Sequence, residues 1–274
     1  MKIEQIAADN YHYRYHPFDL FVENQKRLGI KAVEIWGGSP HFYLDDTCAV
    51  GFAEARAMLD AAGIRVAAFT PESISYLYNL CAWNDEIRVK AMNYYRLAID
   101  AAVTLGAPIM VLNCCGGAKD QSEEVTYTHA VEGLKSLAPY AAERGITIAV
   151  QTNCLDEGNI LHTLPALCSL LNEVNEPNVK AGLDLCAAST ANETMEQWFR
   201  VLGTDLVHIH FTDGKPAGHL VWGEGLHPVD DLIGIPEKYG YTGVLSQLLT
   251  KEAYFFAPEI ADRKNMDALA PWME

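Results

Sequence analysis

Two apolar patterns alternate along the chain. Short, almost continuously apolar runs, such as Arg65-Val66-Ala67-Ala68-Phe69 and Pro108-Ile109-Met110-Val111-Leu112, are separated by longer stretches with helical spacing. Ala91, Tyr95, Ala98 and Ala102 mark one helical face, and Val131, Leu134, Leu137 and Tyr140 mark another. Runs that are apolar on both faces suit parallel strands covered from both sides. A glycine recurs between helix and strand: Gly29 before Ile30 to Ile35, Gly63 before Ile64 to Phe69, Gly106 before Ala107 to Leu112, Gly145 before Ile146 to Val150, Gly203 before Asp205 to His210, and Gly240 before the strand around Val244. Just past a helix end such a residue takes the left-handed turn that a Cβ disfavours. Adding Ile3 to Ala7 and Val179 to Leu183 gives eight strands, and no linker interrupts the series. The predicted fold is one α/β domain over residues 1–274, a single closed (β/α)8 barrel. A doubly wound open sheet is the alternative, but no GxGxxG follows the first strand.

Composition narrows the partners. Twenty Lys and Arg against 36 Asp and Glu give a formal charge of −16, with no basic stripe to meet a nucleic-acid backbone. No run approaches the ~18 apolar residues of a membrane span. Seven cysteines, without CxxC spacing or a secretory leader, suit a reduced, cytoplasmic protein. Cys114, Cys115, Cys154 and Cys186 fall near strand ends and read as inert buried thiols.

The chemistry of a (β/α)8 barrel gathers at the C-terminal ends of its strands. His208-Ile209-His210 closes an apolar run, so both imidazoles share one face, with Asp213 just beyond. That arrangement serves a metal or acid–base site, or leaves one structural and one exposed histidine. The other ends carry Asp9-Asn10-Tyr11-His12, Glu34-Ile35-Trp36, Thr70-Pro71-Glu72, Asn113-Cys114, Gln151-Thr152-Asn153, Asp184-Leu185-Cys186 and Ser246-Gln247-Leu248. Aromatic residues crowd the following loops: Phe42, Tyr43, Tyr76, Tyr78, Trp83 and Trp222. Carboxylates, amides, imidazoles and aromatic faces at one mouth suit a polyhydroxylated ligand such as a sugar.

These strand ends resemble the sugar phosphate isomerase/epimerase superfamily, the xylose isomerase-like barrels, and within it the fructoselysine 3-epimerase and ketose 3-epimerase group. The matching stretches are Val33-Glu34-Ile35-Trp36-Gly37-Gly38 with Pro40-His41, Thr70-Pro71-Glu72 with Tyr78-Asn79, Asp184-Leu185-Cys186-Ala187, His208-Ile209-His210, Gly223-Glu224-Gly225 and Tyr239-Gly240-Tyr241-Thr242-Gly243. The resemblance implies a divalent metal, usually manganese, held by a glutamate, an aspartate, a histidine and a second glutamate from strands 5 to 8. It also implies that the two glutamates act as the acid–base pair. Carried onto this chain, the metal positions are Gln151, Asp184, His210 and Gln247, although an ungapped count from Gly243 selects Leu248. Glu157 survives as a substrate contact. Glu34, Trp36, Glu72, Tyr78, Asn113, Asp213 and His219 complete the expected substrate-binding set. The resemblance also suggests a homo-oligomer.

The departures from that pattern change the expected chemistry. Two amides in place of two carboxylates lower the ligand charge from about −3 to about −1, so metal binding is expected to be weak or absent. Amides do not accept a proton at neutral pH, so Gln151 and Gln247 occupy catalytic positions without being bases. The remaining acid–base groups are Asp184, His210, Glu157, Glu72, Asp213 and His219. Three functions stay open: a carbohydrate isomerase or epimerase with altered machinery, a lyase or deglycosidase on an oxidised sugar using one base, and a sugar-binding protein or complex subunit without catalysis.

Overall fold

A computed structural model describes residues 2–44, 49–73, 78–114, 116 and 120–273. The parallel strands β1 (Ile6–Asp9), β2 (Ala32–Gly37), β3 (Arg65–Pro71), β4 (Ile109–Asn113), β5 (Thr147–Gln151), β6 (Val179–Asp184), β7 (Leu206–His210) and β8 (Leu245–Gln247) close on one another in sequence order. The longer helices are α1 (Phe18–Arg27), α2 (Ala49–Ala62), α3 (Asp85–Leu105), α4 (Glu123–Ala142) and α5 (Leu164–Val174). The short α6 (Leu185–Thr190) and α7 (Met195–Leu202) both precede β7, α8 (Val229–Leu232) and α9 (Ile235–Lys238) precede β8, and α10 (Pro258–Leu269) closes the ring. The expected barrel is present. Its first strand starts three residues later than the pattern predicts, because Ile3–Gln5 forms a 3-10 turn.

Each boundary follows local chemistry. Asn84 caps α3 by accepting from the Glu86 and Ile87 N–H groups, and the helix stops at Gly106, whose φ of 70° reverses the chain into β4. Ala91, Tyr95, Ala98 and Ala102 are buried on the inner face of α3, as their spacing predicts.

Two cores result. Outward strand residues such as Ile6, Val33, Ile35 and Leu183 pack under the helices. Inside the barrel the side chains are small: Ala7, Ala32, Ala67 and Val244 form one cluster, and Ala68, Val111 and Ala149 another. Register then fixes which residues rise above this floor. Asp9 pairs with Glu34, Gly182 with His208, and Asp184 with His210, after a bulge between Ala181 and Gly182 that skips Val207. Ser246 pairs with Ala7, so Ser246 points into the barrel while Gln247 points out of it.

Candidate active site

The strand ends enclose a cavity of about 400 Å³. Asp9, Tyr11, Trp36, Thr70, Glu72, Asn113, Gln151, Asp184, His210 and Leu248 line it from the strands and their ends, and Glu157 and His219 reach it from loops. Asn10 holds the Trp36 backbone from both sides, accepting its N–H at 2.7 Å and donating to its carbonyl at 3.2 Å. The Tyr11 ring then meets the indole edge to face at 4.9 Å. Gly182 makes room for Gln151, since a Cβ there would lie 2.9 Å from Gln151 Cγ.

A charged lattice underlies the cavity. His208 and His210 share the inner face, and both reach Glu34: His208 Nε2 to Oε2 and His210 Nε2 to Oε1, each at 2.9 Å. The Thr70 hydroxyl also donates to Glu34 Oε1. Burial alone would raise the Glu34 pKa, but the His210 and His208 charges outweigh it and hold the carboxyl well below its ordinary range. Burial alone would likewise lower the His210 pKa, yet Glu34 and Asp184 raise it to about 10. His210 is therefore an imidazolium between two carboxylates.

Asp184 is the second node. Its Oδ1 caps α6 through the Ala187 N–H at 2.9 Å. Its Oδ2 lies 2.7 Å from His219 Nε2 and 3.3 Å from His210 Nδ1. Burial opposes ionisation of Asp184, but the His219 charge and the bonds from both imidazoles keep its pKa far below the usual carboxylate value. The Gln151 amide sits 3.1 Å from His210 Nδ1, and Asn113 donates to the Asn153 side chain at 2.8 Å. Glu157 accepts the Cys154 N–H at 2.9 Å. Burial pushes its carboxyl up, the Cys154 N–H draws it back, and the Asp184 charge adds to the rise.

The structure thus brings Gln151, Glu157, Asp184, His210, Trp36, Glu72, Asn113 and His219 to one cavity. Four expected site residues lie elsewhere. Gln247 turns outward, donating to the Leu245 carbonyl at 3.0 Å and accepting from Asn265 of α10 at 2.9 Å, and Leu248 takes the place on the cavity wall. Asp213 spends both oxygens on its own loop: Oδ1 accepts the Gly214 and His227 N–H groups, and Oδ2 those of Gly223 and Gly225. Tyr78 stacks on Tyr94 with ring centres 3.5 Å apart. Glu34 lies beneath the cavity, fully buried.

The aromatic residues also differ from expectation. Phe42 stacks on Phe52 and Trp222 packs on Phe211 within the core, while Tyr43 and Trp83 face solvent. Tyr76 and Cys115 lie outside the described residues. Tyr11 and Trp36 supply the aromatic walls instead. Asp9 stood in the strand-end series without a role, because a lone acid carries no spacing signal. Only the barrel register sets it beside Glu34.

Among the described residues, two clusters bring three metal-binding side chains within 4.8 Å: Glu34 with His208 and His210, and Asp184 with Cys186 and His219. In the first, both carboxylate oxygens and both Nε2 atoms already bond one another. In the second, burial pushes the Cys186 thiol up to about 12, so it is no thiolate at neutral pH. The Cys154 thiol in the cavity wall is also raised by burial to about 12.

Fructoselysine 3-epimerase of Shigella flexneri is 26% identical over 254 residues, which cover 92% of this chain and 91% of that protein. Among solved structures, apo 3-keto-D-glucoside 4-epimerase from E. coli matches with a TM-score of 0.80 at 16% identity, over 97% of each chain. D-psicose 3-epimerase in the presence of D-fructose matches with a TM-score of 0.78 at 17% identity, again over 97% of each. At these identities the structural likeness speaks for the fold. Residues 22–265 match the xylose isomerase-like TIM barrel family, and the chain belongs to that family.

Proposed function

We propose that this chain moves a proton at the carbon beside the carbonyl of a small ketose or keto-sugar, using one protein base in place of a metal-held pair of glutamates. The observation that carries this reading is the position of Glu157. Its carboxyl, made more basic by burial, lines the same cavity as the Asp184–His219 pair and the Tyr11 and Trp36 rings. A carboxylate of raised pKa in the barrel mouth is suited to removing a weakly acidic carbon-bound proton near neutral pH. Relatives named as 3-epimerases of fructoselysine and psicose, and a neighbour named for a 3-keto-D-glucoside, support a small carbohydrate as the substrate class.

The donors here do not fit the metal that the resemblance implies. The strand-5 position offers the Gln151 amide, and the cavity wall after β8 offers the aliphatic Leu248. Asp184 and His210 remain, with a ligand charge of about −1, and each is already bonded to a neighbour. In the proposed reaction Glu157 takes the proton, and the electron pair of the broken C–H bond forms an enolate with the carbonyl. Collapse returns the Glu157 proton to the same carbon, or to the neighbouring one for isomerisation, while loss of a β substituent gives elimination; inversion takes its proton from solvent on the opposite face. Tyr11 and Trp36 present flat faces to a sugar ring.

Heavy-water exchange tests this reading. Wild type should place deuterium beside the carbonyl of D-fructose or a methyl 3-keto-glucoside, and Glu157→Gln should lower that rate by ~10²–10⁴-fold. Equal exchange by the two proteins removes Glu157 from the role. Sugar binding without any exchange moves the chain to the second reading, a sugar-binding barrel, which Leu248 in place of an acid favours.

A further inference from the structure

We infer that Tyr11 is a further catalytic residue, whose hydroxyl hands the solvent-derived proton to the face of the enolate opposite Glu157, with Arg14 as its positioning residue. The inference rests on the reading above and deepens it, by assigning the step that produces an epimer.

The placement follows from the closed strand order. Tyr11 comes just after β1, and Glu157 lies in the loop after β5. In an eight-stranded ring closed in sequence order, those strands are four apart whichever way round they are counted. The two residues therefore reach the one cavity from opposite walls. Tyr11 is only partly buried and lines the cavity, so a ligand there meets it directly. Its N–H is held by Asp9 at 2.6 Å, and its ring stands at 68° to the Trp36 indole. A sugar lying flat on the indole thus meets the phenol ring at its edge.

The hydroxyl is arranged to donate. Arg14 Nη1 donates to the Tyr11 oxygen at 2.8 Å, and the hydroxyl hydrogen has no acceptor among the described residues. The guanidinium itself is held against three rings, 4.2 Å from the centre of Phe255, 4.7 Å from Tyr11 and 5.2 Å from Tyr15. Burial raises the phenol pKa above its ordinary value and Glu72 adds to the rise, while the charge and bond of Arg14 draw it part of the way back. The proton therefore stays on oxygen until an enolate is there to take it, and Arg14 stabilises the phenolate left behind.

The step balances. Glu157 takes the proton, and the electron pair of the broken C–H bond moves into the enolate. The enolate pair then forms the new C–H bond with the Tyr11 proton on the other face, and the carbonyl reforms. Solvent returns a proton to the Tyr11 oxygen and accepts the one on Glu157. No other reactant is required, and the reverse reaction starts from the phenolate.

The test follows two products separately in heavy water, deuterium in the recovered sugar and the epimer at the exchanging carbon, with D-fructose and a methyl 3-keto-glucoside. Tyr11→Phe should keep exchange into the recovered sugar within ~10-fold of wild type and lose ~10²–10⁴-fold in epimer formation, the usual worth of one acid–base group. Arg14→Lys should retain epimer formation that Arg14→Met loses. Thermal melts establish that each variant is folded. Epimer formation by Tyr11→Phe at the wild-type rate overturns the assignment and leaves the proton-transfer reading intact. So does wild type that exchanges deuterium without forming an epimer. Parallel loss of exchange and epimer in Tyr11→Phe also overturns it, by reducing Tyr11 to a wall of the cavity. Wild-type rates in Glu157→Gln, with Tyr11→Phe still losing only the epimer, defeat the Glu157 reading while supporting Tyr11. Neither product from wild type overturns both.

Discussion

Gln247 and Leu248 are adjacent in sequence and face opposite sides of the barrel wall, because side chains alternate along a strand. An acid at the first position meets Asn265 and the Leu245 carbonyl, and at the second it meets the cavity. Gln247→Glu should therefore lower stability by about 1–3 kcal/mol in urea unfolding, by placing a charge against the Leu245 carbonyl, and should add no metal affinity. Gln151→Glu with Leu248→Glu places two carboxylates around Asp184 and His210, and manganese titration by calorimetry should show at least ~10-fold tighter binding than wild type. The two-residue spacing of His208 and His210 was enough to put both on one face, but their burial and shared partner Glu34 depend on the register. Gln247 was misread because facing depends on the pairing of Ser246 with Ala7, which no local motif records. Asp213 was misread for a related reason. Its bonds to the Gly223 and Gly225 N–H groups, 10 and 12 residues further along, exist only once the loop is folded. Gly225 leaves no room for a side chain there, since a Cβ would lie 2.1 Å from Asp213 Oδ1.

At the level of elements, the barrel closes through α10. Asp262 on that helix accepts from His12 at 2.8 Å, Tyr13 at 2.7 Å, Asn24 at 3.0 Å and Gln25 at 2.6 Å, tying α10 to the 3-10 turn after β1 and to α1. These groups are buried, so removing the carboxylate leaves several donors without an acceptor. Asp262→Ala should cost about 3–5 kcal/mol in urea unfolding, the range for breaking a buried pair. The sign with pH follows. Burial opposes the Asp262 charge, but His12 and the other donors lower its pKa below 3.8, so its contribution is present above that value and is lost as pH falls through the folded pKa. The helices themselves were legible from spacing and caps. This cluster was not, because its members lie 237 to 250 residues apart in sequence.

For the whole molecule, six glycine-punctuated units and continuously apolar strands made the closed barrel legible, because that repeat is local. The site's electrostatics were hidden, because they arise between strands far apart in sequence. They also predict a global pH response. His210 has its pKa raised from 6.5 to about 10, so its stabilisation is complete below pH 6.5 and is lost as pH rises through about 10. Urea midpoints should fall over that range in wild type and fall less in His210→Gln. Glu34 and Asp184, both lowered, add stability that is lost only as acid protonates them. The same lattice leaves two acids of raised pKa at the cavity, Asp9 and Glu157, and few donors for a metal. The most direct test of the account is deuterium incorporation beside the carbonyl of a methyl 3-keto-glucoside by wild-type protein, measured with a strong chelator and again with added manganese. The account predicts exchange at the same rate in both. Exchange that vanishes with the chelator and returns with manganese would contradict it.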